Sequence, residues 1–425
     1  MKKTKLFLTL VLALSLCFGV LATTAFAADP PKSEGTPANP AKAAITKHLK
    51  VPVGTLIPAD FKFTFSVTPI SVDEVPAATA GNMPAISNVV VQINPGIAAG
   101  ATDIIDIYAQ SSDIFAGFAG ATPTKEWPHA GVYEYLVVET TADIDTVHEI
   151  LDCSGAEYIL RVYVLEDDKN PGNYYAAIIT AERIKDDDGE EIEDGEKVDP
   201  TPNAPGGTGL SKMTFLNKYV HTNGTDTPGT PDPTDPKEAT MTVSKTVSGE
   251  YASTSVSFNF AMTIFEPAID TDPALPGTYN AYIVGTSNTV VGSPISFETG
   301  KQSTFSLKHG EKLVFVNTPV GTRYNVSEEG TPAYQATLDI TSNNTPDAGN
   351  TFGKNPDNTL GAGIGVTGKY VGEALNLAAF TNIRDAVTPT GLNLNDLPFI
   401  GMILLAVGAV ALLVMAKARK KSYNK

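Results

Sequence analysis

Apolar residues recur at every second position in many short segments of this 425-residue chain. FKFTFSV places Phe61, Phe63, Phe65 and Val67 on one face, and VSFNFAMTI does the same with Val256, Phe258, Phe260, Met262 and Ile264. Period two is the signature of a strand that turns one face to a core. VYEYLVVE, YILRVYVL, YYAAIIT, FSLKHGEKLVFV and RYNVSEE continue the pattern, with Gly, Pro and Asp turns between them. Long amphipathic helical periodicity is scarce. The pattern predicts an all-β chain of antiparallel sandwiches.

Residues 221–238, HTNGTDTPGTPDPTDPKE, form a Pro/Thr/Asp linker that cannot hold helix or sheet. It separates two blocks, 41–220 and 239–385, each long enough for its own core. A Pro-rich leader, 28–40, precedes the first. The blocks repeat each other in order. Each opens on a strand with a lysine in it, AITKHL and MTVSKTVSG, and a strand of alternating Phe follows. Each later carries an aromatic-x-Val-x-Glu strand, YLVVE and YNVSE, and closes on a Phe-x-Asn strand, MTFLNKY and AAFTNIR.

The same period assigns faces to the polar residues. Lys47 lies with Ile45 and Leu49, and Lys245 with Val243 and Val247. Glu139 continues the face of Tyr133, Tyr135 and Val137; Glu328 continues that of Tyr324 and Val326. Asn217 falls between Phe215 and Tyr219, and Asn382 follows Ala378 and Phe380. One inward polar residue per strand is ordinary, explained by lysines that snorkel at sheet edges and by Asn or Glu that cap turns. Three per block in matching order point to a buried cluster whose members satisfy one another.

Lys, Asn and a carboxylate in an apolar pocket have a specific chemistry open to them. Burial lowers the lysine pKa and raises that of the glutamate. The neutral amine is a nucleophile, and the glutamic acid can hydrogen-bond the asparagine carbonyl oxygen and shuttle a proton to departing ammonia. The product is a neutral Lys–Asn isopeptide amide joining the first strand of a block to its last. It closes loops of about 170 and 137 residues, which by the disulfide loop-entropy relation restricts each unfolded block by about 5 kcal/mol.

The two ends assign a compartment. Lys2, Lys3 and Lys5, an apolar run and Ala25-Phe26-Ala27 form a secretory signal peptide, 1–27. Phe399 to Ala416 is an apolar run long enough to span a bilayer, followed by Lys417, Arg419, Lys420 and Lys421. The formal net charge is −17, and removing both ends takes away mostly basic residues. Such a surface repels nucleic acid and anionic membrane. Cys153 is the one cysteine beyond the signal, so no internal disulfide forms.

AITKHL, GVYEYLVVE and MTFLNKY resemble the streptococcal-type pilin isopeptide-linkage domain, and TVSKTVSG, FSLKHGEKLVFV, TRYNVSEEG and FTNIR resemble CnaB-like domains of Gram-positive surface proteins. Two such domains in series resemble the T-antigen type of backbone pilin over most of residues 41–385. The resemblance implies two tandem Ig-like, CnaB-type β-sandwiches between a cleaved signal helix and a C-terminal transmembrane sorting helix. It implies Lys47–Asn217 and Lys245–Asn382 bonds assisted by Glu139 and Glu328; Glu329, by alternation, points outward.

Residues 386–425 resemble a sortase sorting signal, with Thr388-Pro389-Thr390-Gly391 in place of the commoner Leu-Pro opening. Sortase would then attack the Thr390 carbonyl and release Gly391 onward. The acceptor would be another pilin subunit's lysine or a cell-wall peptide, so the membrane holds the chain only before sorting. Lys212, outward-facing before the last strand of the first block, is the candidate acceptor, with Lys197 and Lys218 behind it. The expected function is a structural subunit of a sortase-assembled pilus on a Gram-positive cell surface. The alternative is a monomeric, wall-anchored adhesin or stalk; neither names a host ligand.

Other motifs fall away. GAGIGVTGKY approaches a phosphate loop, but Tyr370 stands where Ser or Thr is needed, and a flexible loop before the last strand is expected. DDDGEEIEDGE fails as an EF-hand, with Ile184 and Gly195 at ligand positions when aligned on Gly189, and reads as an Asp-Gly turn in an acidic hairpin. The five histidines are scattered without metal spacing and no Ser-His-Asp set is evident, so no metal, cofactor or enzyme activity beyond the self-directed cross-linking is expected.

Overall fold

A computed structural model describes residues 31–80, 83–118, 125–140, 149–202, 209–222, 232–235, 240–347, 361–385, 401–407, 409–412 and 415. The segments expected as a signal peptide, 1–27, and a sorting motif, 388–391, lie outside the described residues. The described residues between 401 and 415 are helical and their apolar side chains exposed. No helix of the described residues is long and apolar enough to cross a membrane.

The alternating segments form strands, and the strands stack as two β-sandwiches. In the first, Tyr174–Lys185, Glu157–Glu166, Gly131–Thr140 and Lys62–Val72 lie side by side in one sheet. The facing sheet runs in the order Glu149–Asp152, Thr214–His221, Thr46–Pro52, Ile104–Gln110. Phe63, Phe65, Tyr133, Tyr135, Tyr158 and Phe215 fill the space between them. Ser33–Glu34 pairs with the Tyr174–Lys185 strand, so part of the Pro-rich leader is an edge strand of this sandwich.

In the second sandwich a seven-stranded sheet carries Lys312–Phe315, Met241–Ser248, Leu377–Ile383 and Gln335–Ser342 as neighbours in that order. A four-stranded sheet runs Gln302–Leu307, Phe258–Phe265, Arg323–Glu328, Ile364–Tyr370. Phe258, Phe260, Phe297, Phe315 and Phe380 form its centre.

Both sandwiches place their first and last long strands side by side and parallel. Thr46–Pro52 runs parallel to Thr214–His221, and Met241–Ser248 parallel to Leu377–Ile383. Most neighbouring pairs are antiparallel, so these two are the distinctive feature of the topology.

The segment expected as a flexible loop, GAGIGVTGKY, is instead the edge strand Ile364–Tyr370, paired with Arg323–Glu328. Its Gly365 marks a close approach to the neighbouring strand. A Cβ on Gly365 would lie 2.6 Å from Ser327 Cβ and 2.8 Å from the Val326 carbonyl oxygen. The acidic DDDGEE segment does form a hairpin turn, joining Tyr174–Lys185 to Glu191–Val198 with Gly189 at φ +80°.

Candidate functional site

The register of the parallel pairs sets the site. Lys47 is opposite Phe215, so Asn217 lies one same-face step further along the neighbouring strand. Lys245 is opposite Phe380, and Asn382 lies one same-face step beyond. The offset between lysine and asparagine is the same in both sandwiches. The acid comes from across the core: Glu139 is opposite Phe65 and Glu328 opposite Phe260, each in the facing sheet.

The three side chains meet in each sandwich. Lys47 Nζ donates to Glu139 Oε2 at 2.5 Å, and Asn217 Nδ2 donates to Glu139 Oε1 at 2.6 Å. Lys245 Nζ donates to Glu328 Oε2 at 2.5 Å, and Asn382 Nδ2 donates to Glu328 Oε1 at 2.5 Å. One carboxyl group therefore bridges the amine and the amide nitrogen. Lys47 and Asn217 are 0% exposed and Lys245 and Asn382 1%, with the Glu139 and Glu328 side chains each at 1%.

The alternating Phe strands wall these pockets. Lys47 Nζ sits 4.4 Å from the centre of the Phe63 ring, and Lys245 Nζ 4.0 Å from that of Phe258. The rings exclude water and offer only their electron-rich faces to the ammonium. Burial pushes Lys47 and Lys245 down from 10.5 to about 8, although their glutamates pull the other way. Burial likewise raises Glu139 and Glu328 against the opposing charge of the lysines. The shifts converge, so neutral amine beside carboxylic acid becomes accessible.

The contacts of the amide oxygen differ from the sequence-based expectation. The acid faces the amide nitrogen, not the carbonyl oxygen. Asn217 Oδ1 instead accepts the Ser154 backbone N–H at 2.7 Å. Asn382 Oδ1 is buried with no hydrogen-bond partner among the described residues. Ser154 and Asp187, which holds the Ser154 hydroxyl at 2.6 Å, carried no signal in the sequence. The Phe wall was visible as alternation, although its position over the lysines was not.

Glu329 is outward, its carboxylate accepting from Asn259 Nδ2 at 3.2 Å. Lys212 and Lys197 are exposed, whereas Lys218 is paired with Asp152 at 3.1 Å. Among the described residues no group of three or more His, Cys, Asp or Glu is placed to hold a metal ion.

A family described as a domain of unknown function, DUF7601, matches residues 239–362. No curated protein matches the chain. Among solved structures it is similar to the major pilin of Streptococcus pyogenes, at 17% identity, covering 81% of this chain and 99% of that one with a TM-score of 0.30. It is also similar to the T3.2 major pilin of that organism, at 16% identity, 81% and 98% coverage and a TM-score of 0.29. For the T-13 major pilin of that organism the identity is 14%, the coverage 84% and 100%, and the TM-score 0.29.

Proposed function

We propose that each sandwich cross-links itself through a Lys–Asn isopeptide bond and that the chain is a structural subunit of a sortase-assembled surface pilus. One observation carries the first part: two Lys–Glu–Asn sets, buried, in the same register on parallel first and last strands, each bridged by one carboxyl group. A lone buried ion pair is a common structural feature. A pair with an asparagine amide held beside it on the same carboxyl group, and found twice, is a reactant set.

The proposed steps start from that arrangement. Within the pair a proton passes from Lys47 Nζ to Glu139, leaving a neutral amine. Nζ attacks Asn217 Cγ and the Nζ–Cγ bond forms. Glu139 delivers its proton to Nδ2 and takes one from Nζ, the Cγ–Nδ2 bond breaks, and ammonia leaves. The acid ends protonated, as it was after the first transfer. Lys245, Glu328 and Asn382 follow the same course. The fold holds the reactants together, which supplies much of the rate, and the neutral product removes the desolvation penalty on the lysine.

The pilus part rests on the order of segments: signal, two self-bonded sandwiches, then the Thr388–Gly391 motif ahead of an apolar run and basic end. Sortase takes Thr390 as an acyl group and passes it to an amine, for which exposed Lys212 of another copy is the candidate.

The intact mass of the purified chain tests the bonds, since each costs one ammonia. The Glu139→Ala and Glu328→Ala chains should each regain one. A full unmodified mass in the unaltered chain would sink the cross-link reading. An immunoblot of wall extracts tests the assembly. A covalent ladder that survives boiling in detergent is expected, and a single species would indicate a wall-anchored monomer instead.

A further inference from the structure

The two sites differ in how they treat the asparagine carbonyl oxygen, and the difference follows from where a neighbouring strand stops. The Asn217 strand is flanked by Glu149–Asp152, whose ladder ends with Asp152 opposite Lys218. The next residues leave the sheet, and the Ser154 N–H, freed from any strand partner, turns onto Asn217 Oδ1 at 2.7 Å. In the second sandwich the corresponding neighbour, Gln335–Ser342, runs on in register, with Ala336 opposite Asn382. Its backbone stays in the ladder, and Asn382 Oδ1 has no hydrogen-bond partner among the described residues.

Asp187 fixes the departing segment. Its Oδ1 accepts from Ser154 Oγ at 2.6 Å and from the Leu216 N–H at 2.8 Å, the latter a donor on the Asn217 strand itself. Arg183 holds Oδ2 at 2.5 Å, and the Asp187 carbonyl oxygen accepts from the Gly155 N–H at 2.6 Å. The hairpin turn and the Ser154 segment touch backbone to backbone: a Cβ on Gly155 would lie 2.7 Å from Gly189 Cα. One carboxylate thus ties the turn, the Ser154 segment and the reacting strand into one unit.

We infer that the Ser154 backbone amide is an oxyanion donor for the Lys47–Asn217 cross-link and that Asp187 is the positioning residue that aims it, a device the second sandwich lacks. This rests on the cross-link reading above. When Nζ attacks Cγ, negative charge gathers on Oδ1, where the N–H already points; a preorganised donor there favours the transition state over the ground state. Besides the dominant effect of burial, the nearby Asp187 charge nudges Glu139 further upward, towards the protonated form that the leaving group needs.

The test follows each bond separately, as its cross-linked peptide, in full chain made by cell-free synthesis and quenched over time. Replacing Ser154 by its α-hydroxy analogue turns the N–H into an ester oxygen and should slow the first bond on the order of 10²-fold. Asp187→Asn should slow it about tenfold, with Asp187→Glu recovering part of the loss, and neither should alter the Lys245–Asn382 bond. The chain's single tryptophan, Trp127, is buried in the first sandwich, so native Trp127 fluorescence shows that a slow variant has folded. Folded variants with an unchanged first-bond rate would overturn the inference and leave the cross-link reading standing. Absence of either cross-linked peptide from the unaltered chain would overturn the cross-link reading itself.

Discussion

Lys47 and Lys245 are among the largest fully buried side chains in the molecule. Lysine is rarely buried this completely, and each here has a carboxylate partner that makes matters only partly better. Blocking the proposed bond should expose that cost. In an Asn217→Ala, Asn382→Ala chain both lysines still titrate, from about 8 when folded against 10.5 when unfolded. Between those values the unfolded chain binds more protons, so stability relative to the unaltered chain should rise with pH. The glutamates are raised in the folded state, so just above their ordinary 4.5 the folded chain holds the extra proton and stability falls as pH rises. Denaturant titrations across pH should therefore show a trough between the two intervals. A difference between the two chains that does not move with pH would mean the lysines are charged and solvated.

At the level of elements, both sites depend on strands lying flush. The Ile364–Tyr370 edge strand covers the Glu328 strand from outside, and Gly365 permits the approach. Gly365→Ala forces a methyl against Ser327 and the Val326 carbonyl, which should cost the second sandwich about 1–3 kcal/mol. Calorimetry should show the second sandwich's transition lowered and the first's unmoved; an unchanged profile would mean the edge strand yields freely. This segment was misread from its sequence because glycines serve both mobile loops and close packing. Only the neighbour across the ladder tells the two apart, and that neighbour lies about 40 residues away.

Across the whole molecule, the sandwiches also touch each other. Val320 N–H donates to the His221 carbonyl oxygen at 2.8 Å, and Glu373 reaches His221 Nδ1 at 2.9 Å and the Leu56 N–H at 3.0 Å. Arg323 of the second sandwich pairs with Asp103 of the first. These contacts are non-covalent, whereas the proposed cross-links would carry force from one terminal strand of a sandwich to the other through an amide. Pulling on single molecules should extend only the joint and the ends in the unaltered chain. The Asn217→Ala and Asn382→Ala chains should each release one additional length, that of the 170-residue and 137-residue loops. Equal extension of all three chains would exclude the mechanical role.

Period-two alternation is local, because each side chain's face is set by the strand's own pleat. It was therefore enough, by itself, to predict an all-β chain and to place six polar residues on the same faces as apolar ones. Alternation carries no information about which strands become neighbours. That the lysine and asparagine strands are parallel and offset alike, that the acid arrives from the facing sheet, and that a ladder ending at Asp152 frees the Ser154 amide were decided by tertiary structure. Each depends on contacts between residues far apart in the chain, where packing of the two core faces selects one pairing and one register from many that the local pattern permits.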